Sequence, residues 1–236
     1  MSTVAFQILS DLHLETRASY DFHFKQTAPN LALLGDIGHV GNDALFIFLE
    51  KQLRRYWNVF FVLGNHEPTR YDVNDTLAVL GCTLFSRVTQ DQAAAVGSRF
   101  IDFQQIQNWT VANHVDAHFS DLRWLNAQVS EISRTQPRRQ IAIFTHYSPT
   151  LDVRAMDEKH RDSVVMSGFA TDLSAEKCWI SPSVVMWAFG HTHFSCEFSD
   201  AFGKKVVANQ RGYAIDPENA FDSGKVFLVG EEANQG

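Results

Sequence analysis

Five short apolar runs recur along the chain. They occupy Val4–Leu9, Leu31–Leu34, Val59–Leu63, Ile141–Phe144 and Val184–Phe189. Each run has the length of one strand and is nearly continuous in Val, Ile, Leu and Phe, which is the pattern of a strand buried on both faces. We therefore predict a sheet that is covered on both sides.

Two stretches between these runs carry apolar residues at helical spacing. Asp43–Tyr56 follows Asn42, a candidate N-cap, and Asp116–Ser133 has a similar amphipathic pattern. Strands that alternate with helices indicate an α/β fold. After Gly190 the pattern changes, and we predict a mostly β C-terminal part. Its strand-like pieces lie around Phe194–Phe198, Lys205–Ala208 and Val226–Val229.

Two stretches fit neither pattern clearly. In Thr69–Thr110 we predict a short helix near Asp75–Leu80 within irregular polar sequence. Ser148–Pro182 is long, charged and rich in turn-forming residues. A loop of this length is either a functional lid or a surface insertion without a role, and the sequence leaves both open.

Length and charge narrow the class of protein. At 236 residues and 45% hydrophobic content we expect one globular domain over residues 1–236. The formal charge of −7 opposes binding to nucleic acid or to an anionic membrane. Three cysteines without a paired motif, no basic leader and no membrane-length apolar segment lead us to expect a cytoplasmic protein.

Each of the five apolar runs is followed by a residue able to bind a metal, and a small residue precedes that position. These residues are Asp11, Asp36, Asn65, His146 and His191. Because α/β sheets place their sites at the carboxyl ends of strands, we expect the five to converge on one rim. A glycine or small residue before them permits a tight turn and close backbone approach.

Two of these residues have a histidine two positions later. Asp11 is followed by His13, and His191 by His193. Near a strand end, positions i and i+2 project to the same side, so each pair can address one metal ion. Asp, Asn and His ligands suit Mn, Fe, Zn, Ni or Co, and the pattern does not distinguish among these metals.

The ordered motifs resemble those of the calcineurin-like metallophosphoesterases. They are Asp11-Leu12-His13, Gly35-Asp36, Gly64-Asn65-His66-Glu67, His146 and Gly190-His191-Thr192-His193. The resemblance implies a four-layer αββα sandwich and a site for two divalent transition-metal ions. One departure is Ile37-Gly38-His39, where many relatives have a further acidic residue after Asp36. We expect that difference to change the outer shell of the site and to leave metal binding intact.

The resemblance also implies a role for each motif residue. By that likeness Asp36 bridges the two ions and His66 protonates the leaving group. Asp11, His13 and His193 would complete one metal site, and Asn65, His146 and His191 the other. The expected reaction is in-line attack of metal-bound hydroxide on the phosphorus of a small phosphate ester. The protein would be a phosphomonoesterase or a phosphodiesterase, with small substrates favoured over nucleic acid.

Two other functions stay open. One is a protein-interaction scaffold that keeps the fold without catalysis, and the other is a dinuclear enzyme whose substrate contains no phosphate. Asn209 and Arg211 follow a predicted strand and are candidates for contact with substrate. Arg211 either binds substrate phosphate or forms a surface salt bridge. We expect the histidines outside the motifs to be surface or helix residues, and four phenylalanines to lie in the core. These are His23, His39, His114, His118 and His160, and Phe46, Phe48, Phe60 and Phe61.

Overall fold

The computed structural model describes residues 3–16, 20–62, 68–213 and 220–230. The strands in these ranges are β1 (Val4–Leu9), β2 (Asn30–Leu34), β3 (Asn58–Val62), β4 (Thr69–Asn74), β5 (Leu77–Cys82), β6 (Gln140–Thr145), β7 (Val184–Phe189), β8 (Cys196–Ser199), β9 (Lys205–Ala208) and β10 (Val226–Val229). The α-helices are α1 (Asp43–Leu53), α2 (Ala93–Arg99), α3 (Asp102–Gln105), α4 (Val111–Thr135) and α5 (Lys177–Ile180). Short 3₁₀ helices lie at Leu14–Thr16, Val153–Ala155, Glu158–His160 and Met166–Gly168.

The strands form two sheets. The first has the order β10-β1-β2-β3 and the second β4-β5-β6-β7-β9-β8. The strands that carry the apolar runs pair in parallel within each sheet: β1 pairs with β2 and β2 with β3 in the first, and β6 pairs with β7 in the second. Antiparallel partners, β10 in the first sheet and β4 and β8 in the second, lie at sheet edges. The carboxyl ends of β1 and β2, and those of β6 and β7, therefore lie at one end of their respective sheets.

The inner faces of the two sheets pack against each other. Phe6 and Ile8 of the first sheet share a buried cluster with Ala142 and Phe144 of the second. The Phe6 and Phe144 rings meet edge to face, with centroids 5.3 Å apart. Aromatic pairs of this geometry add to the free energy gained from burying the rings. One of the buried hydrophobic clusters thus lies between the sheets.

Helices cover both outer faces. Leu45 and Phe48 of α1 pack on Leu31 and Leu33 of the first sheet. On the second sheet, buried α4 residues meet residues of β5, β6 and β7. Helix, sheet, sheet and helix follow one another, which confirms the four-layer αββα sandwich. No helix of the described residues combines the length and hydropathy that a membrane span needs.

Local sequence explains where the two main helices begin. The Asn42 side chain accepts a hydrogen bond from the N–H of Ala44 at the start of α1. Thr110 and Asn113 form a reciprocal capping box at the start of α4. The predicted Asp43–Tyr56 helix ends three residues earlier, at Leu53, and α4 begins five residues before the predicted Asp116.

Two of the sequence predictions are wrong. Asp75–Leu80 forms no helix, because the Asn74 side chain closes a turn by accepting from the N–H groups of Thr76 and Leu77. The apolar run that follows becomes β5, an interior strand between β4 and β6. Phe46 is 52% exposed, because it lies on the outer side of α1, whereas Phe48 is buried as predicted.

Candidate metal centre

Four strand ends bring six of the seven predicted metal ligands together. Asp11 and His13 follow β1, Asp36 follows β2, His146 follows β6, and His191 and His193 follow β7. They form two groups, within each of which the ligand atoms lie no more than 4.8 Å apart. The groups are Asp11, His13 and His193, and Asp36, His146 and His191. Asn65 and His66 lie outside the described residues.

Each group draws on both sheets. In the first group, His193 Nε2 lies 3.3 Å from Asp11 Oδ1 and 3.0 Å from His13 Nε2. In the second, His146 Nε2 lies 3.6 Å from Asp36 Oδ1. The other carboxylate oxygen of Asp36 faces the first group, 3.9 Å from His13 Nε2. The Asp36 carboxylate therefore lies between the two groups, the position that a shared ligand requires.

The backbone at these residues adopts a conformation that L-amino acids seldom use. Positive φ angles occur at Asp11 (52°), His13 (46°), Asp36 (49°), His191 (70°) and His193 (52°). A left-handed conformation at a residue with a side chain costs on the order of 1–3 kcal/mol and persists only where the surroundings impose it. Backbone hydrogen bonds from the Asp11 N–H to Gly35 O and from the His13 N–H to Asp36 O tie the turns together.

Glycines next to the ligands allow close packing of these turns. A Cβ atom at Gly35, where φ is +88°, would lie 2.2 Å from Nδ1 of His146. A Cβ at Gly190 would lie 2.1 Å from Oγ of Ser10. Neither space admits a methyl group without displacement. The sequence prediction that small residues here serve close approach is confirmed at both glycines.

Hydrogen bonds orient the imidazole rings. The His146 ring donates from Nδ1 to the carbonyl of Leu34 at 2.8 Å, which directs Nε2 towards Asp36. Glu15 faces His13 Nδ1 at 3.2 Å. The side-chain oxygen of Gln210, Oε1, accepts a hydrogen bond from the backbone N–H of His193 at 2.5 Å, and the side-chain nitrogen Nε2 donates to Thr192 Oγ1. Gln210 is fully buried and fixes the turn that carries two candidate ligands.

Two candidate ligands, His191 and Asp11, hold the protonation state that binds a metal ion. Burial, together with the charge of His146, holds the pKa of His191 well below its usual range, so its imidazole is neutral. Its Nε2 atom is buried and has no hydrogen-bond partner among the described residues. Burial would raise the pKa of Asp11, but the hydrogen bond with His193 and the nearby charge of His146 hold that pKa well below its usual range. Neutral imidazole and ionised carboxylate are the forms that bind metal. The other two shifts run in the opposite direction: burial raises the pKa of Asp36, and although burial would lower the pKa of His146, the charges of Asp36 and Asp11 raise it. Metal binding at these two residues would therefore release protons.

Sequence reasoning missed three residues around the ligands. The Tyr213 ring stacks on His13 with centroids 4.0 Å apart, and the Tyr147 ring lies 4.0 Å from that of His191. The Tyr147 hydroxyl donates to Asp102 at 2.8 Å. Burial, with the nearby carboxylates, raises the pKa of Tyr213 to about 12, so its hydroxyl stays protonated at neutral pH. Only Tyr147 had a sequence signal, since it directly follows His146.

The two residues proposed to reach substrate behave differently. Asn209 is fully buried, and its amide donates to the carbonyls of Ile8 and Asp222, so it joins chain segments and does not reach substrate. The Arg211 guanidinium lies over the Phe22 ring, 4.5 Å from its centroid. A phosphate-binding role for Arg211 stays a prediction.

Comparisons with known proteins agree with this geometry. A family model described as calcineurin-like phosphoesterase matches residues 6–195. The uncharacterized protein L509 of Acanthamoeba polyphaga mimivirus is 24% identical over 263 residues, covering 89% of this chain and 92% of the viral protein. Residues 6–195, the range matched by the family model, contain all seven predicted ligands.

Two solved structures share the fold. Phosphopantetheinyl hydrolase from Mycobacterium tuberculosis superimposes with a TM-score of 0.61 at 11% identity, covering 89% of each chain. A dimetal phosphatase from Danio rerio gives 0.50 at 13% identity, over 87% of this chain and 86% of that one. At these identities the likeness establishes the architecture, and any shared chemistry has to be argued from the site.

Proposed function

Because the chain belongs to the calcineurin-like phosphoesterase family, we propose that it hydrolyses small phosphate monoesters or diesters at a dinuclear metal centre. One observation carries this proposal. Two groups of carboxylate and imidazole ligands face each other, and the two oxygens of Asp36 point to different groups. One ion would not use two such groups, whereas two ions sharing a carboxylate would use both.

We assign the ligands by group. Asp11, His13 and His193 hold one ion, His146 and His191 hold the other together with Asn65, and Asp36 contributes to both. The metals are divalent Mn, Fe, Zn, Ni or Co, since the donors are oxygen and imidazole nitrogen. Ions held in this way would supply an activated water at neutral pH and positive charge for the phosphoryl oxygens.

The residues of the chain supply the remaining functions. We assign to His66, in the motif Gly64-Asn65-His66-Glu67, the donation of a proton to the departing oxygen. Tyr147 and Tyr213 pack against ligand rings and limit the access of water to them.

The net charge of −7 opposes a polyanionic substrate, which supports a small ester over nucleic acid. A scaffold that had lost catalysis is disfavoured, because all six described ligand positions keep metal-binding side chains.

Metal stoichiometry and hydrolysis measured on one sample test the proposal. Metal-free protein is loaded with Mn²⁺ or Zn²⁺, and bound metal is counted by mass spectrometry. Hydrolysis is assayed with 4-nitrophenyl phosphate and bis(4-nitrophenyl) phosphate. We expect two ions per chain, loss of activity on chelation and recovery on adding metal back.

Paired histidine variants provide the control. His191→Ala should lose metal and activity, whereas His23→Ala, whose side chain is 81% exposed, should keep both. One ion per chain at saturation would disprove the dinuclear centre. Hydrolysis that survives exhaustive chelation would disprove the metal-dependent reaction.

A further inference from the structure

A cavity of about 340 Å³ adjoins the candidate metal centre. Its floor includes His191 and His193, and Tyr213 lies at its side. Apart from Thr192, the rest of its wall comes from residues 148–170, part of the Ser148–Pro182 stretch whose role the sequence left open. A phosphoryl group at the ligand cluster would therefore direct its ester substituent towards this cavity.

The 148–170 segment is held beside the candidate metal ligands at both of its ends. Ser148, two residues after His146, pairs with Ala170 as an isolated β-bridge, and the Thr171 N–H donates to the Ser148 carbonyl at 3.0 Å. Phe169 packs on Phe100, with ring centroids 4.7 Å apart, and its ring lies 5.2 Å from that of His191. The segment is thus an ordered part of the site.

The chemistry of the wall favours an uncharged, apolar group. The apolar lining residues of the segment are Ala155, Met156, Val165, Met166, Phe169 and Ala170, and the polar ones are Ser148, Thr150, Asp157, His160 and Ser163. The carboxylate in the wall, Asp157, is ion-paired with Lys159, whose Nζ lies 2.5 Å away. Among the described lining residues no carboxylate is left without a cation, and no Lys or Arg is present. Apart from its histidines, the wall therefore offers a charged substituent no charged partner to replace the hydration that it would lose.

The cavity also limits the size of its occupant. Its volume corresponds to roughly eleven water molecules at about 30 Å³ each. Pockets that bury most of a small ligand begin at about 300 Å³. A compact alkyl or aryl group fits this volume.

We propose that this cavity binds the leaving group, and that the substrate is a phosphate ester of a compact, uncharged and mainly apolar alcohol or phenol. The inference rests on the proposed function, because it takes the ligand cluster as the phosphoryl site. Residues 148–170 then determine substrate specificity, and the strand-end residues determine the reaction.

Neighbouring valines allow a matched test. Val165 lines this cavity, whereas Val164 is 54% exposed and lines a separate concavity formed with residues 87–92. Methyl phosphate and n-hexyl phosphate are compared by kcat/KM in the metal-loaded wild type, Val165→Trp and Val164→Trp. Each buried methylene favours binding roughly fourfold. The two esters differ by five methylenes, and burial of about two or three of them gives the wild type a preference for the hexyl ester of about tenfold to a hundredfold. Val165→Trp should reduce this ratio towards one, and Val164→Trp should keep it.

Binding of 1-hexanol to the metal-free proteins, followed by saturation-transfer NMR, gives a readout independent of turnover. Wild type and Val164→Trp should bind the alcohol, and Val165→Trp should bind it at least tenfold more weakly. If Val165→Trp fails to fold, as judged by thermal unfolding, Val165→Ala decides. Its larger cavity should shift the preference from hexyl towards octyl phosphate.

The outcomes separate the two proposals. A wild type that hydrolyses both esters equally well overturns the leaving-group cavity and leaves the proposed function intact. If protein holding two ions hydrolyses neither of these esters nor bis(4-nitrophenyl) phosphate, the proposed function fails, and hexanol binding then decides whether the cavity takes apolar groups. Hexanol binding that is absent, or that is the same in Val165→Trp, overturns the inference.

Discussion

The strand-end rim and the 148–170 segment meet at one site but are built in different ways. The rim carries its side chains on turns with positive φ, such as those at Asp36 and His191, packed against glycines that leave no room for a Cβ. The segment consists of three short 3₁₀ helices joined by turns, and it contributes apolar side chains to a cavity. Backbone geometry fixes the rim, whereas side-chain composition defines the segment. Substitutions in the rim should therefore affect every substrate, and those in the segment should affect the choice among substrates.

The largest effect is expected at the carboxylate between the two ligand groups. Asp36→Asn should lower turnover on all esters by about 10³-fold or more, because even partners of metal ligands typically contribute 10–100-fold. Asn65→Asp should be milder, since it keeps an oxygen ligand. Metal content and kcat/KM of the two variants test this order. Near-normal metal content and turnover in Asp36→Asn would show that the carboxylate is not shared.

A smaller and more selective effect is expected at His66. A nitrophenolate departs readily without a proton, whereas an alkoxide needs one in the transition state. His66→Ala should therefore keep both ions, lose little activity on nitrophenyl esters and lose roughly 10²-fold on alkyl esters, the lower end of the usual contribution of a general acid. The comparison is made below the imidazole pKa, with metal content measured in parallel. Equal losses on both ester classes, with metal retained, would assign His66 to binding or positioning.

Two glycines test how tightly the rim is packed. Gly35 and Gly203 both have positive φ, +88° and +83°, but a Cβ at Gly203 would meet nothing within 4 Å. Gly203→Ala should cost about 1–2 kcal/mol of the free energy of unfolding, from backbone strain alone. Gly35→Ala should cost about 3 kcal/mol or more and weaken metal binding, because it also displaces His146. Denaturant unfolding and metal titration measure both, and equal losses would show that the rim accommodates the methyl group.

The smallest expected effect is a pH dependence of the free energy of unfolding, caused by buried histidines of α4. His114 and His118 lie on the buried face of α4, and burial lowers the pKa of His114 to about 3. The Ser86 N–H donates to His114 Nε2, which fixes the neutral ring. The unfolded chain, with a histidine pKa near 6.5, binds more protons between these values, so stability should fall as the pH decreases from about 6.5.

His114→Gln should flatten this dependence by up to about 1.4 kcal/mol per pH unit, the limit for one proton. His160→Gln, at an exposed position, should leave the slope unchanged. Urea unfolding at pH 7, 6 and 5 gives the three slopes. A wild-type slope that His114→Gln does not alter would mean that His114 titrates normally in the folded protein.

Much of this protein could be read from local sequence. Near-continuous apolar runs located β1, β2, β3, β6 and β7 to within two residues, because a strand buried on both faces needs such a run. The residues after those runs include all six described ligands, since strand ends at a sheet edge are where side chains converge. The small residues before the ligands were also informative, because Gly35 and Gly190 lie where a Cβ would clash.

Tertiary structure decided the rest. An apolar run does not specify the sheet to which its strand belongs. Long-range strand pairing alone decided that the strands form two sheets and that each ligand group takes residues from both sheets. Leu77–Cys82 became a strand because β4 and β6 flank it, although a short apolar run alone is compatible with a helix. The cavity beside His191 depends on contacts between residues far apart in the chain, such as Phe100 with Phe169. Local pattern therefore determined the strands and the reactive residues, whereas contacts distant in sequence determined the grouping of ligands and the space beside them.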